Sequence, residues 1–184
     1  MKENKNLPLD QFIEFALYDK DKGYYMKKNP FGKEGDFITA PNITRLFSEI
    51  IAIWVVTFWK SIGSPKKFNL LELGAGNGEM IKVIWATLKN FPECFNSCSF
   101  SIHEKSDFLI NKQKENLKLE KISWIKDIKQ VNSHPTIFLA NEFFDALPIK
   151  QFFKKKEGCV ARFVHLQGEK KSEFKEQSAD IKKI

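Results

Sequence analysis

Apolar residues recur at helical spacing at Leu9, Phe12, Ile13, Ala16 and Leu17. They form one face of an amphipathic helix, with Pro8 at a position that suits a first helical turn. Asp21-Lys22-Gly23 is a turn signal that stops it. From Tyr24 to Pro41 the periodicity disappears into a long connection rich in Gly, Pro and Lys. Connections of this length without structure of their own are commonly functional. Periodicity returns after Asn42, a capping residue, in a predicted helix to about Ile62 with an apolar face of Ile43, Phe47, Ile50, Ile51 and Trp54. Gly63-Ser64-Pro65 closes it.

From there the period alternates. Short apolar runs at Phe68–Leu73, Phe100–His103, Ile122–Ile125 and Thr136–Ala140 read as strands. Glu79–Leu88, with Met80, Ile81, Ile84 and Leu88 inside, and Asp107–Leu117 read as helices. Strand–helix units of this size predict an α/β fold with a parallel sheet and helices on its faces. Ile149–Phe153 and Val160–Leu166 then flank Lys156-Glu157-Gly158 and read as an antiparallel hairpin. Gln167–Ile184 is mostly charged, without apolar periodicity, and fits neither a strand nor a cap. The expected organisation is therefore N-terminal helices and a long loop over 1–62, an α/β core over 63–166, and a charged tail over 167–184.

Composition narrows the function classes. With 184 residues and 42% hydrophobic residues, the chain can bury one sizeable core. The net charge of +7 comes from short scattered lysine runs such as Lys27–Lys28 and Lys154–Lys156, none interleaved with aromatics. That reads as a solvated surface, with contact to an acidic partner as the alternative, and not as an RNA-binding pattern. Ile50–Trp59 is too short to span a bilayer, so no membrane insertion is expected. Cys94, Cys98 and Cys159 complete no zinc set, and no metal is expected. Met1–Asn6 carries no apolar signal region, and an odd cysteine count then reads as reduced thiols in a cytosol-like compartment.

The sharpest local signal is Leu71-Glu72-Leu73-Gly74-Ala75-Gly76-Asn77-Gly78, a strand, a glycine turn and a helix. Glycines let the backbone turn tightly and approach a ligand, and the helix offers its positive end. A dinucleotide loop would read G-x-G-x-x-G. Here Gly78 comes one residue early, and Glu72 sits two residues before Gly74. That carboxylate disfavours a pyrophosphate and welcomes the ammonium of an amino-acid moiety, which points to S-adenosylmethionine rather than to a nicotinamide cofactor. Glu104, after the next strand, stands where a carboxylate takes ribose hydroxyls; the plainer reading is an exposed acid. Asp127, after the third strand, serves either the adenine amino group or a helix cap.

The fourth strand runs into Asn141-Glu142-Phe143-Phe144-Asp145. Ligands of open α/β sheets bind at the carboxyl ends of strands. Asn141, Glu142 and Asp145 would there surround a transferring methyl and its acceptor. Carboxylates suit a guanidinium, which they can hold bidentately and deprotonate. The plainer alternative is a capped turn with solvated acids.

Gly35-Asp36-Phe37-Ile38-Thr39-Ala40-Pro41, Leu71–Gly78 and Ala140–Pro148, in this order, closely resemble the MidA-like methyltransferases, as does Asp21-Lys22-Gly23-Tyr24-Tyr25. The match runs from about Leu7 to Phe153. Family members usually carry Pro where Ala75 stands and Arg where Asn77 stands. The resemblance implies a Rossmann-like class I methyltransferase fold with S-adenosylmethionine as cofactor. It would place Gly35, Asp36 and Thr39 over the cofactor, Glu72, Gly74, Gly76 and Gly78 around it, Glu104 at the ribose, and Asn141, Glu142 and Asp145 facing the methyl. Mitochondrial members methylate protein arginines on a subunit of respiratory complex I as assembly factors. A protein substrate is thus implied, in a bacterial cytoplasm or a mitochondrial matrix, with the oligomeric state open. Family members are roughly twice as long, so the sheet is expected to be incomplete, its last strand leaving an unpaired edge or an apolar face. A non-catalytic assembly factor that keeps the fold is the alternative.

Overall fold

The computed structural model describes residues 5–28, 30–32, 35–118, 121–167 and 171–178. In chain order the elements are β1 (Lys5–Pro8), α1 (Leu9–Tyr18), α2 (Tyr24–Lys27), α3 (Ala40–Ile43), α4 (Arg45–Ser61), β2 (Phe68–Leu73), α5 (Glu79–Leu88), α6 (Pro92–Ser97), β3 (Cys98–His103), α7 (Asp107–Leu117), β4 (Ile122–Ile125), β5 (Thr136–Leu139), β6 (Phe152–Lys155), β7 (Gly158–Gln167) and β8 (Lys171–Ser178). They divide into two compact units, 25–145 and 1–24 with 146–184.

The 25–145 unit is the expected α/β fold. Its sheet has the order β4-β3-β2-β5, and every pair is parallel. β2 is central, with Leu70 opposite Phe100 on one side and Ile137 on the other. All six of its residues are buried, which is why it reads as a continuous apolar run. The chain builds outward from β2 through β3 to β4, then returns to place β5 on the other side. β2 therefore borders the point where the strand order reverses, the usual site of a ligand crevice. β5 pairs only with β2 among the described residues, and Phe138 on it is 50% exposed, as an incomplete sheet predicts.

α5 buries Met80, Ile81, Ile84 and Leu88 as its spacing predicts. For α4 the expected face is only partly right: Phe47 and Ile51 pack against the core, but the rest of the face does not. The buried stripe is Ser48, Ala52, Val55, Val56 and Trp59, whereas Ile43 before it and Ile50 and Trp54 on it are exposed. The helix is apolar nearly all round, so periodicity alone does not select a face, and the small Ser48 and Ala52 lie on the buried side. Nor does Asn42 cap it. The side chain of Thr44 accepts from Leu46 N, and Asn42 lies within α3.

In the other unit the hairpin is present, with Phe153 opposite Val160. β7 is its central strand. One edge pairs with β6 and then β1, and the opposite edge pairs with β8 from Val160–Ser178 to Gln167–Lys171. The charged tail is thus partly a strand, against expectation. Backbone pairing to β7 holds β8, and Phe174 is the one large apolar residue of that strand. The remaining tail positions 168–170 and 179–184 lie outside the described residues.

Candidate functional site

β2 ends in a turn that only glycine accommodates. Gly74 has φ +64°, and a Cβ there would stand 2.7 Å from Cδ2 of Phe143. Its N–H donates to the His103 carbonyl at 2.9 Å, tying the turn to the end of β3. Gly76 and Gly78 are also left-handed, and Gly78 caps α5.

The turn borders a cleft that Glu72, Gly74 and Gly76 line, together with Thr39 and with Asn141, Glu142 and Asp145. Seven expected residues therefore meet in one place. Glu72 is 3% exposed, and its Oε2 has no hydrogen-bond partner among the described residues. Burial pushes its carboxyl up to about 8; a backbone hydrogen bond at Ile81 opposes the shift, and the nearby Glu104 adds to it. An unpaired carboxyl oxygen in such a place is costly unless a ligand meets it. Glu142 adopts φ +50°, a backbone strain of the kind that concentrates at functional sites. Asp145 lies in a single 3-10 turn, Phe144–Ala146.

Glu104 is buried behind this wall rather than exposed in it. Its Oε1 accepts from Ser106 N at 2.9 Å and its Oε2 from Gln113 Nε2 at 3.2 Å. Burial raises its pKa, and these hydrogen bonds oppose the shift. Gln113, fully buried, also donates to the Gly76 carbonyl at 3.0 Å and accepts from Trp124 Nε1 at 2.9 Å. It locks carboxylate, glycine turn and β4 together.

The long connection folds over the turn. The Phe31 ring stacks on Tyr25 at 6.0 Å and stands 3.2 Å from a Cβ built at Gly76. The Tyr25 carbonyl accepts from Ser106 Oγ at 2.8 Å. Burial, then the carboxylates of Asp145 and Glu104, raise the Tyr25 phenol. Gly35 is needed for close approach, because a Cβ there would meet the Pro30 carbonyl oxygen at 2.2 Å. Asp36 pairs with Lys28. Neither Gly35 nor Asp36 lines the cleft, nor do Gly78 and Glu104. Asp127 takes the capping alternative: its Oδ1 accepts from Lys129 N at 2.9 Å in a capping box with Gln130.

Read alone, the sequence assigns no site role to Tyr25, Phe31, Asn42, Asn77 or Gln113. Tyr25 carried a usable signal in its Gly-Tyr-Tyr motif. Gln113 carried none, because its partners are distant in the chain.

The model of a family described as putative S-adenosyl-L-methionine-dependent methyltransferases matches residues 50–183. The chain belongs to this family. S-adenosylmethionine is the family's cofactor. Among curated relatives, the mitochondrial protein arginine methyltransferase NDUFAF7 of Xenopus tropicalis is 31% identical over 182 residues, covering 86% of this chain and 42% of the relative. The mitochondrial NDUFAF7 homolog of Drosophila melanogaster is 34% identical over 167 residues, covering 78% and 38%. The chain thus spans less than half the length of these relatives. The fold matches a likely methyl transferase of Burkholderia thailandensis bound to S-adenosyl-homocysteine, with TM-score 0.78 and 22% identity over 95% of this chain and 46% of that one.

Proposed function

We propose that the cleft binds S-adenosylmethionine and that the protein methylates arginine side chains of a protein substrate. The observation that carries this reading is Glu72, a buried carboxyl with an unpaired oxygen at the glycine turn. It fits the ammonium of the cofactor's amino-acid end. When bound, the cofactor supplies a methyl on a sulfonium, open to in-line displacement by a nucleophile. The chain's own residues then align and deprotonate the acceptor. Glu142 and Asp145 would hold a guanidinium, and one carboxylate would take the proton that its nitrogen loses as the N–C bond forms. Asn141 would orient the pair. Glu104, fixed by Ser106 and Gln113 behind the cleft, would support the glycine turn from its far side, because Gln113 bonds both Glu104 and the Gly76 carbonyl.

The names of the relatives support the arginine acceptor, and the motif resemblance extends it to a respiratory complex I subunit. Three free cysteines suit a reducing compartment, a bacterial cytoplasm or a mitochondrial matrix. The test is transfer of labelled methyl from S-adenosylmethionine to arginine-containing protein. Asp145→Ala should lower the rate by about a hundredfold or more, in the range lost with a proton acceptor, while binding of S-adenosylhomocysteine persists. Bound cofactor without label on any protein would overturn the acceptor and favour a non-catalytic assembly role.

A further inference from the structure

We propose that Asn77 and Asn42 are positioning residues that turn the Thr39 hydroxyl into a hydrogen-bond donor for the carboxylate of the cofactor's amino-acid end. All three line the cleft, and the proposal rests on reading that cleft as the cofactor site.

A single backbone donor fixes the direction of the relay. Glu79 N–H, at the start of α5, donates to Asn77 Oδ1 at 3.3 Å. A backbone N–H can only donate, so the oxygen of the Asn77 amide must face it. The Asn77 amide nitrogen is thereby directed to Asn42 Oδ1, at 2.8 Å. The Asn42 nitrogen in turn donates to Thr39 Oγ1 at 2.9 Å. Thr39, 8% exposed, accepts there and leaves its own hydroxyl proton to donate. The Asn77 carbonyl also receives Asn116 Nδ2 from α7 at 3.2 Å, which holds the hub in place.

The cleft has a use for such a donor. Its carboxyl side chains are Glu72, Glu142 and Asp145, and no lysine or arginine lines it among the described residues. The acids suit an ammonium and repel a carboxylate. A carboxylate bound beside them must be met by neutral donors, and the relay supplies one aimed from the covering segment.

The test is calorimetric titration of the chain with S-adenosylhomocysteine and with 5′-methylthioadenosine, which lacks the amino-acid end. Thr39→Val and Asn42→Ala should each weaken S-adenosylhomocysteine by about tenfold, as loss of a hydrogen bond to a charged group does. Both should leave methylthioadenosine within about twofold. The double variant should be no weaker than Thr39→Val alone, and Thr39→Ser should restore wild-type affinity. Should Asn42→Ala melt early, Asn77→Ala reads the same relay from its other end. Additive losses, equal losses for both ligands, or wild-type binding by Asn42→Ala would overturn the relay and leave the cofactor reading standing. A folded wild-type chain that binds neither ligand would overturn the cofactor reading itself.

Discussion

The two sheets of this chain are held by different physics. β2 is buried along its whole length between two parallel neighbours, and its Phe68 and Leu70 pack into one cluster with α4 and α5. β7 is mostly half-buried, and Val164 is its one buried residue. What organises the second sheet is backbone pairing along both edges of β7, with exposed contacts across it: Lys155 with Glu176, and the Arg162 guanidinium between the rings of Phe153 at 4.5 Å and Phe174 at 5.0 Å. Burial writes itself into sequence as runs and periods; a backbone ladder with side-chain contacts across it does not. The glycine turn grows from the first kind of sheet, where a rigid central strand can hold an unpaired carboxyl in place.

The widest gap between the sheets should appear on truncation. Leu70 is fully buried between Phe100 and Ile137. Leu70→Ala should therefore cost about 2–5 kcal/mol, the lost transfer energy plus a cavity. Urea denaturation reads this directly. A cost below about 1 kcal/mol would mean that the parallel sheet is no more tightly packed than its antiparallel counterpart.

The legibility of the chain follows the same line. Phe68–Leu73 and Glu79–Leu88 were readable to the residue, because each is defined by what it buries. Glu72, Gly74 and the acids after β5 were readable because an acid or a glycine at a strand end has few other reasons to be there. The buried face of α4 was not, since a helix apolar all round carries no phase. β8 was not, since Lys171–Ser178 is held by backbone pairing. Glu104 was singled out as a strand-end acid, but not its burial against Gln113 and Ser106, which leaves it outside the lining of the cleft. Asn42 was placed in the right segment and given the wrong task, because a helix cap and a side-chain relay use the same amide. Asp127 was left between two tasks, and the local geometry shows the cap.

The cost of holding an acid in the buried sheet can be measured through pH. Glu72 keeps its proton in the folded chain up to about pH 8, against an ordinary value of 4.5. Between these values the native state binds the extra proton, so stability should fall as pH rises and level off above 8. Glu104 shifts the same way, so Glu72→Gln should flatten the fall without abolishing it. Cofactor affinity should run the opposite way. An ammonium prefers the ionised carboxylate, so binding should tighten as pH rises toward 8, by up to about tenfold per unit for one proton, and Glu72→Gln should lose both the affinity and its slope. Melting curves and calorimetry from pH 5 to 9 test both. A wild-type stability that rises over this interval would show that Glu72 is ionised and partnered.

The smallest effect belongs to the second sheet and tests whether its exposed contacts are more than decoration. The Arg162 guanidinium stands against two rings and its backbone N–H donates to Gln151 O at 2.9 Å. Only the side chain is lost in Arg162→Ala, so the ladder survives and the change reports the ring contacts alone. At a half-exposed site these amount to about 1 kcal/mol together. Lys155→Ala, which removes an exposed ion pair with Glu176, should cost about 0.5 kcal/mol or less and vanish in high salt. The Arg162 loss should persist in high salt, because much of it is planar stacking and excluded water, and Arg162→Lys should recover only part of it. An Arg162→Ala loss as large as that of Leu70→Ala would break the comparison, because β7 would then have a core of its own built from one arginine and two phenylalanines.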